Sequence, residues 1–346
     1  MKRIFALFTV LALLLTGCAF NAPEPPVTPA PSGDGLLVHF IDVGQADCAL
    51  LQCDGEYLLI DGGNREDGQL VVSYLEQQGV EELAAVVCTH PHEDHVGGLP
   101  AVLAVYPTGA VYAPTRTYAS KVFDDFMYYA DQQGLTVTIP EPGDKISLGS
   151  AELTVLGPVK DYPEPNNTSI VLKAQYGDTA FLFTGDMEAE AEADMLDHWG
   201  SAMDFHADVL KVGHHGSATS SSAAFLSAAD PDYGVISVGE GNSYGHPQAE
   251  VLDRLARMDI LSFRTDELGH ILAASDGKTV TVTWENQATQ PEAPAAEDTL
   301  YIGNKNSKKF HLPTCANLPA EQNRVEFSSY QEARDAGFTP CGNCIG

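Results

Sequence analysis

A chain of 346 residues exceeds what one hydrophobic core usually organises, and 44% apolar against 19% charged residues is the balance of a globular protein. Its formal net charge of −30, from 48 acidic and 18 basic side chains, argues against tight, non-specific binding to duplex nucleic acid, which needs a basic footprint. Two bound divalent ions would offset only a small part of that charge, so a strand would have to be held by a local basic strip or by the metals themselves.

Met1-Lys2-Arg3 is a basic opening, Ile4 to Leu15 is an apolar run too short to span a bilayer, and Leu15-Thr16-Gly17-Cys18 ends it. This pattern reads as a secretory signal over residues 1–18. Small residues before a cysteine resemble the bacterial lipobox, which implies Cys18 as the first residue of the mature protein and its lipid anchor in the cell membrane. The competing reading is an N-terminal transmembrane helix with an incidental cysteine. Residues 19–35 are rich in Pro without periodicity, as in a solvated tether. The expectation is a catalytic part working outside the cytoplasm.

Leu36 to Val43, Cys48 to Cys53 and Tyr57 to Ile60 are three β-type runs separated by turn residues, the first turn being Gly44-Gln45-Ala46-Asp47; they read as a meander. Asp61 closes the third run before a Gly pair, where its carboxylate could brace a metal-bound imidazole or cap the next helix. Cys48, Cys53 and Cys88 fall inside apolar runs and read as buried packing residues. Apolar residues recur at helical spacing from Gln69 to Gln78 and from Val122 to Gln133.

Between these helices, Leu83 to Cys88 reads as a buried strand that delivers Thr89-His90-Pro91-His92-Glu93-Asp94-His95-Val96-Gly97-Gly98. Three imidazoles and a carboxylate leaving one strand end crowd each other unless a divalent cation binds them. Two cations fit better than one: His90 and His92 can face the first while Asp94 and His95 face its neighbour, and paired ions polarise a phosphoryl oxygen while ionising a water. A histidine-rich surface loop is the bland alternative.

Further strands are expected over Glu152 to Leu156, Thr168 to Tyr176 and Thr179 to Phe183, the last ending in Thr184-Gly185-Asp186. Asp186 stands at a strand end like His90, so it either bridges both ions or caps a helix from Met187 to Trp199. Asp208 to Val212 then delivers Gly213-His214-His215-Gly216-Ser217. One of the adjacent histidines should complete the second ion, because neighbours on an extended segment point in opposite directions; spacing does not choose between them, and His214 is the preferred one. Tyr233 to Val238 leads to Asn242-Ser243-Tyr244-Gly245-His246-Pro247, where His246 is placed to grip a leaving group or phosphate, or is simply a solvated loop histidine.

Asp61, His90-Pro91-His92-Glu93-Asp94-His95, Asp186 and His214 together resemble the metallo-β-lactamase superfamily. The finer wording resembles its ComEC-like branch: Phe40-Ile41-Asp42-Val43-Gly44-Gln45, Leu59-Ile60-Asp61-Gly62-Gly63, Phe183-Thr184-Gly185-Asp186, Leu210-Lys211-Val212-Gly213-His214-His215-Gly216-Ser217, Tyr244-Gly245-His246-Pro247 and Arg264-Thr265-Asp266. The resemblance runs from Leu36 to about Trp284. It implies an αββα sandwich over residues 36–286 with a dinuclear zinc or manganese site, and a link to competence, where the branch accompanies a DNA channel and degrades the non-transported strand. No run of this chain reads as a channel segment. Two departures stand out: Asn166-Asn167-Thr168-Ser169 where many members have a histidine, which leaves one ion ligand-poor, and Ala46 where the branch usually has Gly.

The mechanism expected is hydrolysis in line with the leaving oxygen. Asp94 and Asp186 hold the ions, Asp186 orients the water, and His246 completes the catalytic set. Lys211, Ser217, Asn242, Tyr244 and His246 are expected around the phosphate, with Arg264 and Lys211 either binding a strand or serving as surface charges.

Residues 287–298 mix Gln, Pro, Ala and acidic residues as a linker, and residues 299–346 form a small module. His311-x3-Cys315 and Cys341-x2-Cys344 supply four soft ligands in two close pairs, suited to one structural zinc. The stretches around them resemble the zinc-binding domain of the Ada DNA-repair protein. His311 stands where that domain has a cysteine, which argues against a methyl-accepting role and leaves metal binding in place. The alternative is a disulfide of Cys315 with Cys341 or Cys344. Lys305, Lys308, Lys309, Arg324 and Arg334 make this tail more basic than the rest, as for a nucleic-acid-holding part or a wall-docking module.

Two function classes follow. One is a surface-anchored hydrolase acting on DNA or another phosphodiester, in DNA uptake or scavenging; within that class, small esters, lactones, thioesters or phosphorylcholine-type substrates suit the negative charge. The other is a non-catalytic assembly lipoprotein of an uptake apparatus.

Overall fold

In a computed structural model, the described residues are 35–287, 289, 300–341 and 344–345. The signal, Cys18, the tether up to residue 34 and nearly all of the expected linker lie outside them. Among the described residues no helix is long and apolar enough to cross a membrane.

Alternation of side chains along the strands sets the layering. Leu58 and Ile60 join Phe181, Phe183 and Val209 in one core between two sheets, while the intervening Leu59 and the intervening Leu182 and Leu210 turn to the outer faces. Phe40 and Phe183 stack across the interface, their ring centroids 6.1 Å apart. Fully burying a side chain of this size contributes roughly 1.5–3 kcal/mol, so the two inner faces hold the sandwich together.

Each sheet has seven strands. The first runs in the order Val280–Trp284, Ile271–Ser275, Leu36–Phe40, Ala49–Cys53, Glu56–Ile60, Leu83–Val87, Thr108–Tyr112. The second runs Leu261–Arg264, Tyr233–Ile236, Val209–Lys211, Thr179–Phe183, Val171–Tyr176, Ala151–Gly157, Lys145–Leu148. Helices Gly68–Gln77, Leu99–Val105 and Lys121–Gln132 cover the outer face of the first sheet through Val71, Leu75, Leu99, Phe123 and Phe126. Ala189–Trp199, Ala223–Ala229 and Ala249–Arg257 cover the second through Met195, Phe225, Leu226 and Leu255. The result is the expected αββα sandwich, with the predicted meander as its first three strands.

Glu56–Ile60 and Leu83–Val87 pair in parallel, as do the four strands from Thr179 to Arg264. Their carboxyl ends therefore open on the same side of the sandwich, where open α/β sheets bind ligands. Cys48, Cys53 and Cys88 are buried and unpaired, as their apolar surroundings suggest.

Two boundaries differ from the sequence reading. Pro165–Thr168 is a 3-10 turn, so the strand expected from Thr168 begins at Val171. The helix expected from Met187 begins at Ala189, because the Glu188 N–H donates to Asn167 Oδ1 and the Ala189 N–H to the Thr219 carbonyl. Asp186 is thus not a helix cap; Glu188 occupies that position.

The C-terminal segment forms a four-stranded sheet, Arg324–Phe327, Tyr301–Asn304, Lys309–His311, Thr339–Pro340, with the helix Tyr330–Asp335. Its Tyr301, Phe310, Tyr330 and Phe338 belong to the same apolar cluster as Phe225 and Met258, and the Tyr301 hydroxyl donates to the Arg257 carbonyl. Arg334 lies 3.1 Å from Asp230, which ties the module to the hydrolase domain and removes this cation from any strand-binding surface.

His39, 5% exposed, turns from the first strand towards the helix Gly68–Gln77, with Nδ1 2.9 Å from the Tyr74 hydroxyl. Burial, with His270 nearby, lowers its pKa to about 4. Between about 6.5 and 4 the unfolded chain binds this proton and the folded one does not, so acidification favours unfolding by up to about 3 kcal/mol through this group. In urea unfolding across that range, His39→Leu should lose the corresponding part of the pH slope; an unchanged slope would contradict the buried, neutral ring.

Candidate metal centre

The loop that carries the histidines is fixed by backbone contacts that only small residues allow. The Gly62 N–H donates to the His95 carbonyl at 2.8 Å, Gly98 N–H to Gly63 O at 3.2 Å, and Asp47 N–H to Asp94 O at 3.1 Å. A Cβ on Gly98 would fall 2.1 Å from the Gly62 carbonyl oxygen, and one on Gly97 would fall 2.3 Å from the Arg65 nitrogen. The Gly-Gly pair after the histidines is therefore a requirement of packing as well as of turning.

Asp61 stands beneath this loop, 1% exposed. Its Oδ1 accepts from the Thr89 N–H at 2.7 Å, while Oδ2 accepts from the Thr89 hydroxyl at 2.6 Å and lies 2.8 Å from His95 Nδ1. That contact orients the imidazole with Nε2 towards the cleft, the arrangement that outer carboxylates give to ligating histidines.

Four strand ends meet around Asp186. His95 Nε2 is 3.3 Å and His215 Nε2 3.7 Å from its Oδ1, while His90 Nε2 is 3.8 Å and His214 Nε2 3.6 Å from its Oδ2. His92 Nδ1 lies 3.1 Å from His90 Nε2, and Asp94 Oδ2 lies 3.4 Å from His215 Nε2. The donor atoms of Asp94, His95, Asp186 and His215 all fall within 4.8 Å of one another, so His215 and not His214 belongs to the second-ion set. The preference for His214 failed because it assumed an extended segment: His214 (φ 51°, ψ 48°) and His215 (φ 53°, ψ 24°) are both left-handed. Such a backbone costs roughly 1–2 kcal/mol per residue bearing a Cβ, strain of the kind that functional sites retain.

Charge is compressed here. Burial works against the imidazolium of His95, but Asp186, Asp61 and Asp94 outweigh it and raise its pKa well above the usual range. Burial likewise opposes protonation of His215, yet Asp186 and Asp47 raise its pKa to about 10. Asp94 is held down at about 2 by His95 and His215 against the cost of burial, whereas burial, with His95 beside it, drives His90 well below its usual value. The same groups serve as a neutralised cluster without metal and as ligands with it.

Buried polar atoms test whether cations fit. His95 Nε2, His215 Nε2 and Asp186 Oδ1 are buried without a hydrogen-bond partner and converge, which is costly unless a ligand satisfies them. Imidazole nitrogens and carboxylate oxygens in this proportion suit zinc or manganese. His90, His92, Asp94, His95, Asp186, His214 and His215 thus fit a pair of divalent ions.

Several expected substrate contacts lie elsewhere. Lys211 is 4% exposed and sits under the site, with Nζ 2.9 Å from Asp47 Oδ2 and donating to the Val212 carbonyl; it cannot meet a phosphate. Ser217 is buried, 3.0 Å from the Thr219 hydroxyl. Asn242 organises its own loop, accepting from the Tyr244 and His246 N–H groups and donating to the Gly239 and His246 carbonyls. Arg264 is clamped by Asp266 and Glu267. Of this group Tyr244 and His246 do line the cleft, a cavity of about 990 Å³ shared with His92, Asp94, Asp186, His214 and His215. Tyr244 stacks on His246, ring centroids 5.6 Å apart.

Three residues escaped the sequence reading. Asp47 lies 3.3 Å from His215 Nδ1 as well as against Lys211, and its pKa is held below the usual range because Lys211 and His215 overcome its burial. Gln45 accepts from the Gly239 N–H and places its Nε2 3.4 Å from His246 Nδ1. Asn166 is 8% exposed on the cleft with Oδ1 unpartnered. The only signal for Asp47 and Gln45 was a turn that carried more polarity than a turn needs.

In the C-terminal module the donor atoms of His311, Cys315, Cys341 and Cys344 lie within 4.8 Å of one another, His311 Nδ1 being 3.4 Å from Cys315 Sγ and 4.0 Å from Cys344 Sγ. The three thiols are unpaired, so the expected alternative of a disulfide is not what the structure holds. One tetrahedral ion fits them.

Comparison with known proteins agrees with this geometry. Residues 41–240 match the metallo-beta-lactamase superfamily, and residues 285–345 match the metal binding domain of Ada. The chain is 29% identical over 266 residues to ComE operon protein 3 of Bacillus subtilis (strain 168), covering 71% of this chain and 34% of the relative. It is 30% identical over 262 residues to competence protein ComA of Neisseria gonorrhoeae, covering 74% and 34%. The chain therefore spans about a third of the length of these curated relatives. Among solved structures it is similar to the metallo-beta-lactamase fold protein YhfI from Bacillus subtilis, with 13% identity and a TM-score of 0.44 over 62% of this chain and 92% of that one.

The Asp47–Lys211 pair yields a stability test. Asp47→Ala leaves a buried ammonium unpaired and should cost about 3–5 kcal/mol in urea unfolding, while the double variant Asp47→Ala, Lys211→Met should recover most of it. Equal losses in the single and double variants would contradict the pairing.

Proposed function

Because the chain belongs to the metallo-beta-lactamase superfamily, we propose that it is a dinuclear metal-dependent phosphodiesterase, anchored outside the cytoplasm through Cys18 and acting on a DNA strand. The observation that carries the reading is the convergence of three unpartnered buried atoms, His95 Nε2, His215 Nε2 and Asp186 Oδ1, at the floor of an open cleft. The competence proteins among its relatives support DNA as the substrate.

Two divalent ions in this site would polarise a phosphoryl oxygen and lower the pKa of a water. The chain supplies the rest. Asp94 and Asp186 hold their oxygens towards the ions, Asp61 locks His95, and Ser237 locks His215 by accepting at 2.9 Å from its Nδ1. Burial, with His214 and His215 nearby, lowers the His246 pKa to about 4, so this ring is neutral near pH 7. Gln45 fixes its tautomer: Oε1 is taken by the Gly239 N–H, so Nε2 donates to His246 Nδ1 and leaves the ring's Nε2–H to donate to a leaving oxygen.

A second reading has its own observation. Asp42, Glu66, Glu93, Glu240 and Asp266 add carboxylates to the cleft, and among its described lining residues there is no lysine or arginine. That lining disfavours a polyanion and favours a small ester with a neutral or cationic leaving group, phosphorylcholine-type esters included. In the C-terminal module we assign the ion as zinc, with a structural role, since the module's aromatic residues share the hydrolase core.

The Asp94→Ala, His95→Ala double variant should keep its circular dichroism spectrum and lose the strand-end ions. Turnover of single-stranded DNA and of bis-p-nitrophenyl phosphate should fall by at least about 10³-fold, more than the loss of a single oxyanion donor. Normal turnover in this variant would overturn the site assignment; wild-type cleavage of the small ester alone would favour the second reading. Purified protein should also hold one zinc that resists mild chelation and is lost in Cys315→Ala. Zinc retained in that variant would contradict the module's ligand set.

A further inference from the structure

The two adjacent histidines hold different oxygens of one carboxylate. His215 approaches Asp186 at Oδ1, the oxygen that also faces His95, whereas His214 approaches it at Oδ2, the oxygen that faces His90. From these contacts we infer that the pair is divided between two ions: His215 with Asp94, His95 and Asp186 Oδ1, and His214 with His90, His92 and Asp186 Oδ2. The inference rests on the dinuclear reading of the site and assigns to the first ion a histidine from the second sheet.

Three further observations support the division. Both rings turn Nδ1 outward onto the protein and Nε2 inward: His214 Nδ1 is 3.2 Å from the Thr219 hydroxyl and 3.6 Å from Glu188 Oε1, and His215 Nδ1 is 2.9 Å from the Ser237 carbonyl. That is the orientation in which an outer partner fixes the tautomer of a ligating imidazole. Secondly, two consecutive left-handed residues bring both Nε2 atoms towards Asp186, where an extended pair would send one ring away. A histidine needed only for packing would not require that strain. Lastly, Asn166 lines the same cleft, lies 3.4 Å from the Glu188 oxygen that also faces His214, and leaves its buried Oδ1 unpartnered. This places a spare oxygen donor beside His214.

Metal titration of the purified protein, with the C-terminal zinc counted separately, tests the division. The variants are His214→Asn and His215→Asn, because Asn tolerates a left-handed backbone, and circular dichroism confirms that each folds. Wild type should bind two manganese ions at the strand ends with an exchange-coupled electron paramagnetic resonance spectrum. His214→Asn should weaken one ion at least about a hundredfold and leave an uncoupled manganese signal, as loss of a direct ligand exceeds the effect of an outer partner. That remaining ion should be lost on adding Asp94→Ala and unaffected by adding His92→Ala; in His215→Asn the dependence should reverse. His214→Gly should likewise lose the first ion while its metal-free form melts higher than wild type, since glycine relieves the strain. Two ions of unchanged affinity in His214→Asn, or remaining ions in the two variants with the same partner dependence, would overturn the division alone. Uptake of fewer than two strand-end ions by wild type would overturn the dinuclear reading, and the division with it.

Discussion

The structure depends on keeping one carboxylate charged inside a protein. Asp186 is 2% exposed, and burial opposes its ionisation, yet His95, His215 and His90 hold its pKa well below the usual range. A buried anion of this kind is costly unless it is paired and hydrogen-bonded. The surrounding architecture supplies both. Ser169 Oγ accepts from the Asp186 N–H at 3.1 Å, and the imidazoles come from loops after two different sheets. The sandwich brings those sheets face to face, so the inter-sheet core and the charged site at its rim stabilise each other.

A second buried charge lies below. Lys211 and Asp47 form a pair that places a positive charge behind His215, on the side away from the cleft, and Asp47 reaches both ring systems of the second-ion set. The polar structure is therefore layered: ligands facing the cleft, carboxylates behind them, and a lysine behind one of those carboxylates. Removing a member from the lower layers changes the orientation of the upper one, which is how a residue without access to substrate can govern the site. Outside this region the strongly acidic surface gives no comparable neutralisation, and the cleft keeps that acidic character at its walls.

Much of this was legible in the sequence, for physical reasons that differ from residue to residue. Apolar alternation located nearly every strand, and the ends of those strands are where ligands collect, so His90 to His95 and Asp186 could be placed without coordinates. Asp61 was legible because a carboxylate at a strand end before Gly-Gly has few other uses. His215 was not, because the argument about neighbours presupposes an extended backbone and both residues of the pair are left-handed. Lys211 was misread because its partner, Asp47, comes from the other sheet and no local pattern announces it. Arg264 was misread for the opposite reason: Asp266 lies two residues on and the pairing is local. The linker between hydrolase domain and module lies outside the described residues, but the shared core shows that the module is docked, which a compositional boundary cannot reveal.

The central claim is that the carboxylate of Asp186 sits between two divalent ions. Anomalous X-ray scattering from crystals grown with manganese, recorded on both sides of the manganese and zinc edges, tests it most directly. The account predicts two manganese peaks flanking Asp186, one towards His90 and one towards His95, and a separate zinc peak at Cys315. A zinc peak in the module with no scattering at Asp186 would show that the strand-end cluster is a self-neutralised charge network and not a metal site.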